Sequence, residues 1–527
     1  MTGPTLGSWV RRRAERTPGR VALRFEEASW TYAELDLRIR RLAQALRAMG
    51  VRPGDRVGYV GPNHPAFLEL LFAAAGLGAI TLPVNHRLPA DTVEHIVRDS
   101  GCRLIVYSAE ASVADGAGGA GDLANRLRST FPAVTFVRLE GRSGGDEPVG
   151  YEELLTAGSA EPIGAPVRFD DAALLVYTSG TTGLPKGVTL THESLTWNVF
   201  NVIVSGDFRS DDVTLAIAPF FRVGGLGVTV LETLLLGGSV VVMRAFDPGE
   251  ALELIETHKV SVLFGGPDLL QALITHPSFR EDRFASVRVC YTGGAPVPHR
   301  MLDTYLRHDI AIIQGYGLSE ASPVALLLDS EDMARKAGSA GRPVFFTDVR
   351  IVGPDGTAAE AGQVGEVLVA GPNVMQGYWN RERPDEHLVD GRWLRTGDAA
   401  RMDEDGYVTI VGRMADAYVT AGRLVHPGDL ESVLRDHPAV ADVAVVPFPD
   451  TESGTPAGTA AGTVGVAFVE SAVGGRVDPD ELLTWAAGRI DPAVLPRAVR
   501  LVDELPRNPA GKVLRARLGR HIRPGGR

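Results

Sequence analysis

The most informative segment of the chain runs from residue 177 to residue 187 and reads Tyr177-Thr178-Ser179-Gly180-Thr181-Thr182-Gly183-Leu184-Pro185-Lys186-Gly187. It continues an apolar run, residues 174–177, whose short continuous pattern predicts a buried strand. The glycines expose backbone N–H groups, the hydroxyl side chains add further donors, and Lys186 adds a point charge. Such a loop can wrap a polyphosphate. It is not a Walker A loop, because the pattern Gly-x4-Gly-Lys-Ser/Thr is absent from this sequence.

Short apolar runs alternate with helical patterns from the start of the chain to about residue 410. Between residues 35 and 46, apolar side chains recur every three or four positions, which predicts an amphipathic helix. Short buried strands are predicted at residues 56–60, 104–107, 174–177, 215–218, 239–243, 260–264, 287–291 and 311–314. The alternation predicts an α/β fold with largely parallel sheets.

The pattern changes twice towards the C-terminus. From about residue 345, turn residues such as Gly353-Pro354-Asp355-Gly356 punctuate pairs of apolar runs, which predicts a β-rich subdomain. A second boundary falls near Gly412-Arg413. The remainder of the chain has its own strand–helix pattern and predicts a small α+β domain, in which residues 454–462 form an insertion of small residues.

Composition excludes several classes of protein. The 527 residues are 44% hydrophobic and carry a formal net charge of −12, which argues against nucleic-acid binding. Only two cysteines occur, Cys102 and Cys290, so a disulfide scaffold and a cysteine-rich metal site are excluded. The apolar stretch 66–84 contains Glu69 and Pro83, and therefore predicts a buried helix that runs into a strand. We expect a soluble, cytoplasmic protein without membrane insertion.

The segment 177–187 resembles the phosphate loop of the adenylate-forming superfamily, which includes acyl- and aryl-CoA synthetases, peptide-synthetase adenylation domains and firefly-type luciferases. Further motifs of that family follow in order along essentially the whole chain: Gly293-Gly294-Ala295-Pro296, Tyr316-Gly317-Leu318-Ser319-Glu320, Thr396-Gly397-Asp398, Gly412-Arg413 and Pro506-Arg507-Asn508-Pro509-Ala510-Gly511-Lys512. The set looks most like acyl- or aryl-CoA ligases. The resemblance implies a large N-terminal domain of stacked mixed sheets with helices (1–411), a hinge (412–416) and a small mobile C-terminal domain (417–527) that carries Lys512.

The resemblance also implies a nucleotide site. Asp398 would accept the ribose hydroxyls with support from Arg413, the ring of Tyr316 would face the adenine, and Glu320 would be an oxygen ligand for Mg²⁺. The full set of implied ATP- or AMP-binding residues is Thr178, Ser179, Gly180, Thr181, Thr182, Gly183, Gly293, Gly294, Ala295, Pro296, Tyr316, Gly317, Asp398 and Arg413.

The implied catalytic residues are Lys512, Lys186, Glu320 and Ser319. By resemblance, Lys512 bridges the substrate carboxylate and the α-phosphate during adenylation. A carboxylate is already ionised at pH 7, so the reaction needs no general base. It needs alignment of two anions and neutralisation of charge at phosphorus, which the two lysines, Mg²⁺ and the loop donors would supply.

The predicted acid pocket departs from the family. Where the family commonly has Pro-Leu-Phe-His, this chain has Pro219-Phe220-Phe221-Arg222. Arg222 either pairs with an anionic group of the substrate or second reactant, or turns outward into a structural salt bridge. We expect the pocket to be lined by Phe221, Arg222, Gly224, Gly265 and Gly266, whose glycines would leave room for an aromatic ring.

The region after the hinge departs as well. The family's Ser-Gly-Gly-Glu is Thr420-Ala421-Gly422-Arg423, the hinge Asp or Lys is Ala415, and the insertion 454–462 replaces a Gly-Glu pair. In the family this region lines the tunnel for pantetheine, and the Cβ of Ala421 could narrow that tunnel. Adenylation therefore looks intact, whereas CoA is placed in doubt as the acceptor.

We expect an ATP- and Mg²⁺-dependent ligase that activates a small aromatic or biosynthetic carboxylic acid as an acyl-adenylate and releases pyrophosphate. The acceptor is CoA by family default. The alternatives are an amine giving an amide, a carrier-protein thiol, or ATP-dependent activation of nitrite for diazotisation of an aromatic amine. A luciferase-like oxygenase and a non-catalytic nucleotide sensor are the further alternatives.

Overall fold

The computed structural model describes residues 5–109, 120–140, 148–178, 184–381, 387–449, 463–472, 475, 477–507 and 513–519. In chain order its strands are β1 (Val21–Phe25), β2 (Ala28–Thr31), β3 (Arg56–Val60), β4 (Ile80–Val84), β5 (Leu104–Tyr107), β6 (Thr135–Arg138), β7 (Val149–Gly150), β8 (Ala172–Thr178), β9 (Lys186–Thr191), β10 (Val213–Ala216), β11 (Ser239–Val242), β12 (Val262–Gly265), β13 (Val289–Thr292), β14 (Ala311–Gly317), β15 (Val324–Leu327), β16 (Arg342–Pro343), β17 (Asp348–Val352), β18 (Gly365–Ala370), β19 (Gly377–Tyr378), β20 (Leu388–Val389), β21 (Trp393–Met402), β22 (Val408–Arg413), β23 (Tyr418–Thr420), β24 (Arg423–Val425), β25 (Val440–Pro449), β26 (Thr463–Ser471) and β27 (Ala498–Val502).

The α-helices lie mostly between these strands. They are α1 (Trp9–Arg16), α2 (Tyr32–Ala48), α3 (Pro65–Leu77), α4 (Ala90–Ser100), α5 (Ala120–Thr130), α6 (Tyr151–Ala157), α7 (His192–Ser205), α8 (Val223–Leu226), α9 (Val230–Leu236), α10 (Pro248–His258), α11 (Pro267–Thr275), α12 (Glu281–Phe284), α13 (His299–Arg307), α14 (Pro427–Arg435), α15 (Pro479–Ala487) and α16 (Arg515–Leu518).

Two large mixed sheets form the N-terminal part of the molecule. One has the strand order β16-β15-β14-β13-β12-β10-β11-β1-β2, and its central strands from β14 to β1 run parallel. The other has the order β19-β9-β8-β4-β3-β5-β6-β7, in which β9 and β19 are antiparallel to their neighbours. The α/β fold with stacked mixed sheets is therefore confirmed.

The β-rich subdomain is an antiparallel sheet of β17, β18, β21, β20 and β22. After it, β25, β26 and β27 form a small sheet that packs with α14 and α15 around an apolar core. Arg300 on α13 donates to the carbonyl oxygens of Val440 (2.8 Å) and Ala441 (3.1 Å), which links the large and small parts. The small α+β domain is thus present. Its predicted boundaries at residues 411, 412–416 and 417 remain predictions.

Local sequence explains several elements directly. Thr31 and Glu34 form a reciprocal capping box that starts α2. The apolar stretch 66–84 is helix α3, which Gly78 ends in the left-handed conformation (φ 72°), followed by β4, as predicted. No helix in the described ranges is long and apolar enough to cross a membrane. A cytoplasmic location remains a prediction.

A buried ion pair fastens α3 to α2 and α6. The Glu69 carboxylate is fully buried, Arg38 Nε lies 2.5 Å from its Oε1, and the Tyr151 hydroxyl donates to its Oε2 at 2.6 Å. Removing Glu69 leaves the buried Tyr151 hydroxyl without its acceptor, whereas Arg38 keeps an ion pair with Glu152 at 2.6 Å.

We therefore expect Glu69→Leu to lower the free energy of unfolding by about 1–3 kcal/mol, as measured by urea denaturation. The matched control is Arg280→Ala, which removes an exposed ion pair with Asp282 (3.2 Å) and should cost less than about 1 kcal/mol. Equal effects of the two substitutions would contradict the role assigned to Glu69.

Candidate active site

The predicted phosphate loop connects two antiparallel strands. The last residue of β8, Thr178, pairs with the first residue of β9, Lys186. Helix α4 contacts both ends of this connection: the Tyr177 hydroxyl donates to Asp99 Oδ2 at 2.5 Å, and His95 Nε2 lies 3.3 Å from the Pro185 oxygen. The predicted loop residues between the strands lie outside the described residues: Ser179, Gly180, Thr181, Thr182 and Gly183.

Strand β19 brings two of the predicted catalytic side chains together. Tyr378 pairs with Val188 on β9, and the ammonium of Lys186 lies 5.4 Å from the centroid of the Tyr378 ring. The hydroxyl of Tyr378 donates to Glu320 Oε1 at 2.7 Å. Sequence reasoning missed Tyr378, because only tertiary packing brings it beside both residues.

Glu320 lies in a short 3-10 turn, Ser319–Ala321, that follows β14. Ser319 begins the same turn. The described residues contain no group of three or more His, Cys, Asp or Glu side chains that could hold a metal by themselves. Mg²⁺ in nucleotide sites uses one or two carboxylates together with the substrate phosphates, and a half-buried carboxylate beside a lysine fits that requirement. The residues present therefore fit a magnesium ion that is shared with a polyphosphate.

Tyr316, Asp398 and Arg413 form a hydrogen-bonded row. The Tyr316 hydroxyl donates to Asp398 Oδ2 at 2.6 Å, and Arg413 Nε lies 3.0 Å from Asp398 Oδ1. Asp398 and Arg413 are opposite each other on β21 and β22, so the sheet register sets their distance. Burial and the Asp398 carboxylate raise the pKa of Tyr316 well above its usual value, so its hydroxyl remains a donor.

The glycine motif after β13 lies against the glycines of β14. A Cβ on Gly293 would come within 2.7 Å of the Gly315 oxygen, and Gly294 has φ +82°. A Cβ on Gly317 would come within 2.0 Å of the Pro323 oxygen. These positions therefore require glycine. The next three residues are exposed and offer a surface on which a planar ligand can lie: Gly294, Ala295 and Pro296.

The predicted acid-pocket residues come together from two strand ends, β10 and β12. Phe221 contacts the ring of His86 edge-to-face, with centroids 5.9 Å apart. The ring of Phe264 lies 3.3 Å from the position of a Cβ on Gly224. Burial, helped by Arg87, lowers the pKa of His86 to about 4, so its imidazole is neutral at pH 7. Sequence reasoning did not identify His86 or Phe264, which lie just after the end of β4 and near the end of β12.

Gly265 and Gly266 allow neighbouring side chains to pack closely against the backbone. A Cβ on Gly265 would lie 3.2–3.3 Å from Ile217 and Leu269, and one on Gly266 would lie 2.5 Å from Asp268 Oδ1. The expected space for an aromatic ring therefore does not come from Gly265.

Arg222 is half-buried at the start of α8. Burial lowers its pKa, the Asp268 carboxylate raises it, and Arg87 lowers it again. An arginine stays protonated across the physiological range. Arg222 is therefore a fixed cation that is influenced electrostatically by Asp268 and Arg87.

Two buried polar atoms, one at the carboxyl end of β13 and one in the middle of β14, have no hydrogen-bond partner among the residues that the structure describes. They are Thr292 Oγ1 and Gln314 Oε1, and the two residues are direct neighbours in the sheet register. Buried polar groups are normally paired, so these atoms are available to a ligand. Sequence reasoning did not single them out.

Ala421, whose Cβ was expected to narrow the pantetheine tunnel, lies at the exposed tip of the hairpin of β23 and β24. Ala421 (φ +47°) and Gly422 (φ +74°) form the two-residue turn between β23 and β24, and both are exposed. Arg423 pairs with Asp491 on the surface. Ala415 lies in the turn Met414–Asp416. The insertion 454–462 and Lys512 lie outside the described residues.

Comparisons with known proteins agree with these motifs. The family model described as AMP-binding enzyme matches residues 10–379, and the AMP-binding enzyme C-terminal domain matches residues 429–512. A feruloyl-CoA synthase of Amycolatopsis sp is 42% identical over 99% of this chain and 100% of its own. An indoleacetate–CoA ligase of Aromatoleum aromaticum is 35% identical over 96% of both chains. The o-succinylbenzoate CoA synthetase of Bacillus subtilis, solved with ATP and a magnesium ion, has a TM-score of 0.82 at 28% identity, with 97% of this chain and 99% of that chain covered.

Replacing Ala421 by glycine should stabilise the small domain. A left-handed alanine costs about 1–2 kcal/mol, of which the larger backbone entropy of unfolded glycine offsets a part. We therefore expect Ala421→Gly to raise the free energy of unfolding by about 0.5–1 kcal/mol, measured by urea denaturation. Gly422→Ala at the next position is the control and should destabilise. A loss of stability in Ala421→Gly would contradict the turn geometry.

Proposed function

Because the chain belongs to the AMP-binding enzyme family, it is an ATP-dependent, AMP-forming ligase, and we propose that its acid substrate is a small aromatic carboxylic acid. The expectations of ATP and Mg²⁺ are confirmed. Acyl- or aryl-CoA ligase activity by way of an acyl-adenylate follows from the relatives, and CoA, which the sequence placed in doubt, is the co-substrate of such ligases.

The observation that carries the proposed adenylating activity is that charged side chains lie close to two tyrosines. Lys186 and Glu320 meet at Tyr378, and Asp398 and Arg413 meet at or beside Tyr316. The site thus holds three groups that suit ATP. Lys186 is a cation for phosphate, Glu320 is a carboxylate for a metal ion, and Asp398 is a carboxylate that can accept hydrogen bonds from two ribose hydroxyls.

The chemistry has two displacements. A carboxylate oxygen of the acid attacks the α-phosphorus of ATP, and pyrophosphate leaves. The CoA thiol, as it loses its proton, then attacks the acyl carbon, and AMP leaves. Mg²⁺, when bound, offsets negative charge on the phosphates.

We propose that the chain's own residues promote the first displacement by stabilising negative charge on the phosphates. Lys186 neutralises phosphate oxygens, and Lys512 is proposed to align the acid carboxylate with the α-phosphate. The loop 178–183, Ser319, Gly317 and the motif 293–296 are proposed to hold the nucleotide with donors and close backbone approach.

An aromatic acid suits the chain for two reasons. The two relatives above are named for aromatic acids, the feruloyl group and indoleacetate. In this chain the rings of Phe221, His86 and Phe264 lie around the predicted pocket, and aromatic side chains pack well against an aromatic ligand.

CoA is the acceptor that we propose. Arg423, which raised doubt in the sequence, pairs with Asp491 on an exposed surface, and Ala421 lies in an exposed two-residue turn. Nothing among the described residues favours an amine, a carrier-protein thiol or nitrite.

The test is pyrophosphate release with ATP and Mg²⁺ over a panel of hydroxycinnamates, arylacetates, benzoates and fatty acids, with and without CoA, and with products identified by mass. We expect an aromatic acid to give the highest kcat/KM and a CoA thioester. Lys512→Ala should lower the rate of adenylation by roughly 10²–10³. Preference for a fatty acid, or an amide or diazo product, would contradict the proposal.

Arg222 is proposed to bind a polar or anionic substituent of the acid. We expect Arg222→Met to lower kcat/KM by roughly tenfold or more for acids that carry such a substituent, as loss of a charged hydrogen bond does, and by less than about threefold for the unsubstituted acid. Arg87→Met, which removes a nearby exposed cation, is the control. If Arg222→Met and Arg222→His leave the substrate preference unchanged, Arg222 plays a structural role.

A further inference from the structure

The segment 375–379 is hydrogen-bonded both to β9 of one large sheet and to the turn that follows β14 of the other. On one side, the Trp379 N–H donates to the Gly187 oxygen (2.7 Å) and the Gln376 N–H to the Thr189 oxygen (3.0 Å), both on the strand that begins at Lys186. On the other side, the Met375 N–H donates to the Glu320 oxygen at 2.8 Å. The backbone around Tyr378 is therefore held relative to Lys186 and Glu320 before any ligand binds.

Three contacts fix the Tyr378 side chain. Its hydroxyl donates to Glu320 Oε1, its ring lies beside the Lys186 ammonium, and the ring of His387 meets it edge-to-face with centroids 4.5 Å apart. A cation within about 6 Å of a ring centroid is attracted to the ring. The single ring therefore restrains a cation and a carboxylate together.

The Tyr378 hydroxyl sets the orientation of the Glu320 carboxylate. The tyrosine hydroxyl is protonated at neutral pH and donates to Glu320 Oε1. Because Oε1 accepts this hydrogen bond, the carboxylate is held in one orientation. Binding of a ligand to this carboxylate then costs less conformational entropy, because the Glu320 side chain is already ordered.

We propose that Tyr378 is a positioning residue that sets the affinity of the enzyme for ATP with Mg²⁺, by fixing the Glu320 carboxylate and the Lys186 ammonium relative to each other. The proposal rests on the proposed function, in which Glu320 is the magnesium ligand and Lys186 contacts phosphate. It adds to that function a residue that touches neither the acid nor the reacting atoms.

The hydroxyl and the ring have separable effects. Tyr378→Phe removes the donor to Glu320 and keeps the ring beside Lys186. Tyr378→Leu removes both. Tyr305→Phe is the matched control, since Tyr305 is fully buried and its hydroxyl donates to the Leu270 oxygen at 2.8 Å, away from the site.

The measurement is equilibrium binding of ATP by calorimetry, first without metal and then at increasing Mg²⁺. We expect Tyr378→Phe to raise the Mg²⁺ concentration at half-maximal effect about tenfold, as loss of a hydrogen bond to a charged group does, with metal-free ATP affinity within about twofold of the wild type. Tyr378→Leu should also weaken metal-free ATP binding by about two- to fivefold. Tyr305→Phe should change neither quantity.

A double-substitution cycle assigns the effect to Glu320. In the Glu320→Gln background, Tyr378→Phe should have no further effect on the Mg²⁺ dependence, whereas additive losses would overturn the proposal. An unchanged Mg²⁺ dependence in Tyr378→Phe, at a thermal midpoint close to that of the wild type, would also overturn it. If the wild type binds ATP with Mg²⁺ but releases no pyrophosphate with any acid, the proposed function fails while the role of Tyr378 is still measured.

Discussion

The site depends on the hydrogen bonds that join two mixed sheets at β19. This two-residue strand pairs with β9, and the residue two before it binds the backbone of Glu320, which follows β14 of the other sheet. Lys186 begins β9 of one sheet, whereas Glu320 follows β14 of the other. Their common neighbour, Tyr378, restrains both side chains at once. Charges arranged before the substrate arrives need little reorganisation during the reaction, which is the main electrostatic advantage of an enzyme site.

Much of the fold could be predicted from local pattern, and the failures have physical causes. Strand 104–107 was predicted with its observed bounds. Strand 311–314 was predicted too short, because the last residues of β14 pair antiparallel with β15, a long-range contact that apolar pattern does not reveal. Strand 215–218 ends earlier than predicted: the chain leaves the sheet where the Asn63 amide binds the Ala218 oxygen.

The site was predictable only where motifs are contiguous. Asp398 and Arg413 were identified from sequence, and the structure pairs them across β21 and β22. Tyr378, His86 and the unpaired Thr292 and Gln314 oxygens were missed, because their importance arises from neighbours distant in sequence. The doubt about CoA rested on the departures at 415, 420–423 and 454–462, and on the Cβ of Ala421. The sequence does not reveal the left-handed backbone of the turn that carries Ala421.

The central claim is that the acid is activated as an acyl-adenylate and passed to CoA. It is tested most directly with an aromatic acid labelled with ¹⁸O in its carboxylate, turned over with ATP, Mg²⁺ and CoA. Attack of a carboxylate oxygen on the α-phosphorus leaves that oxygen on phosphorus when the thiol displaces AMP. The account therefore predicts one ¹⁸O atom in the AMP and one in the thioester. AMP without ¹⁸O, or label in pyrophosphate instead, would contradict it.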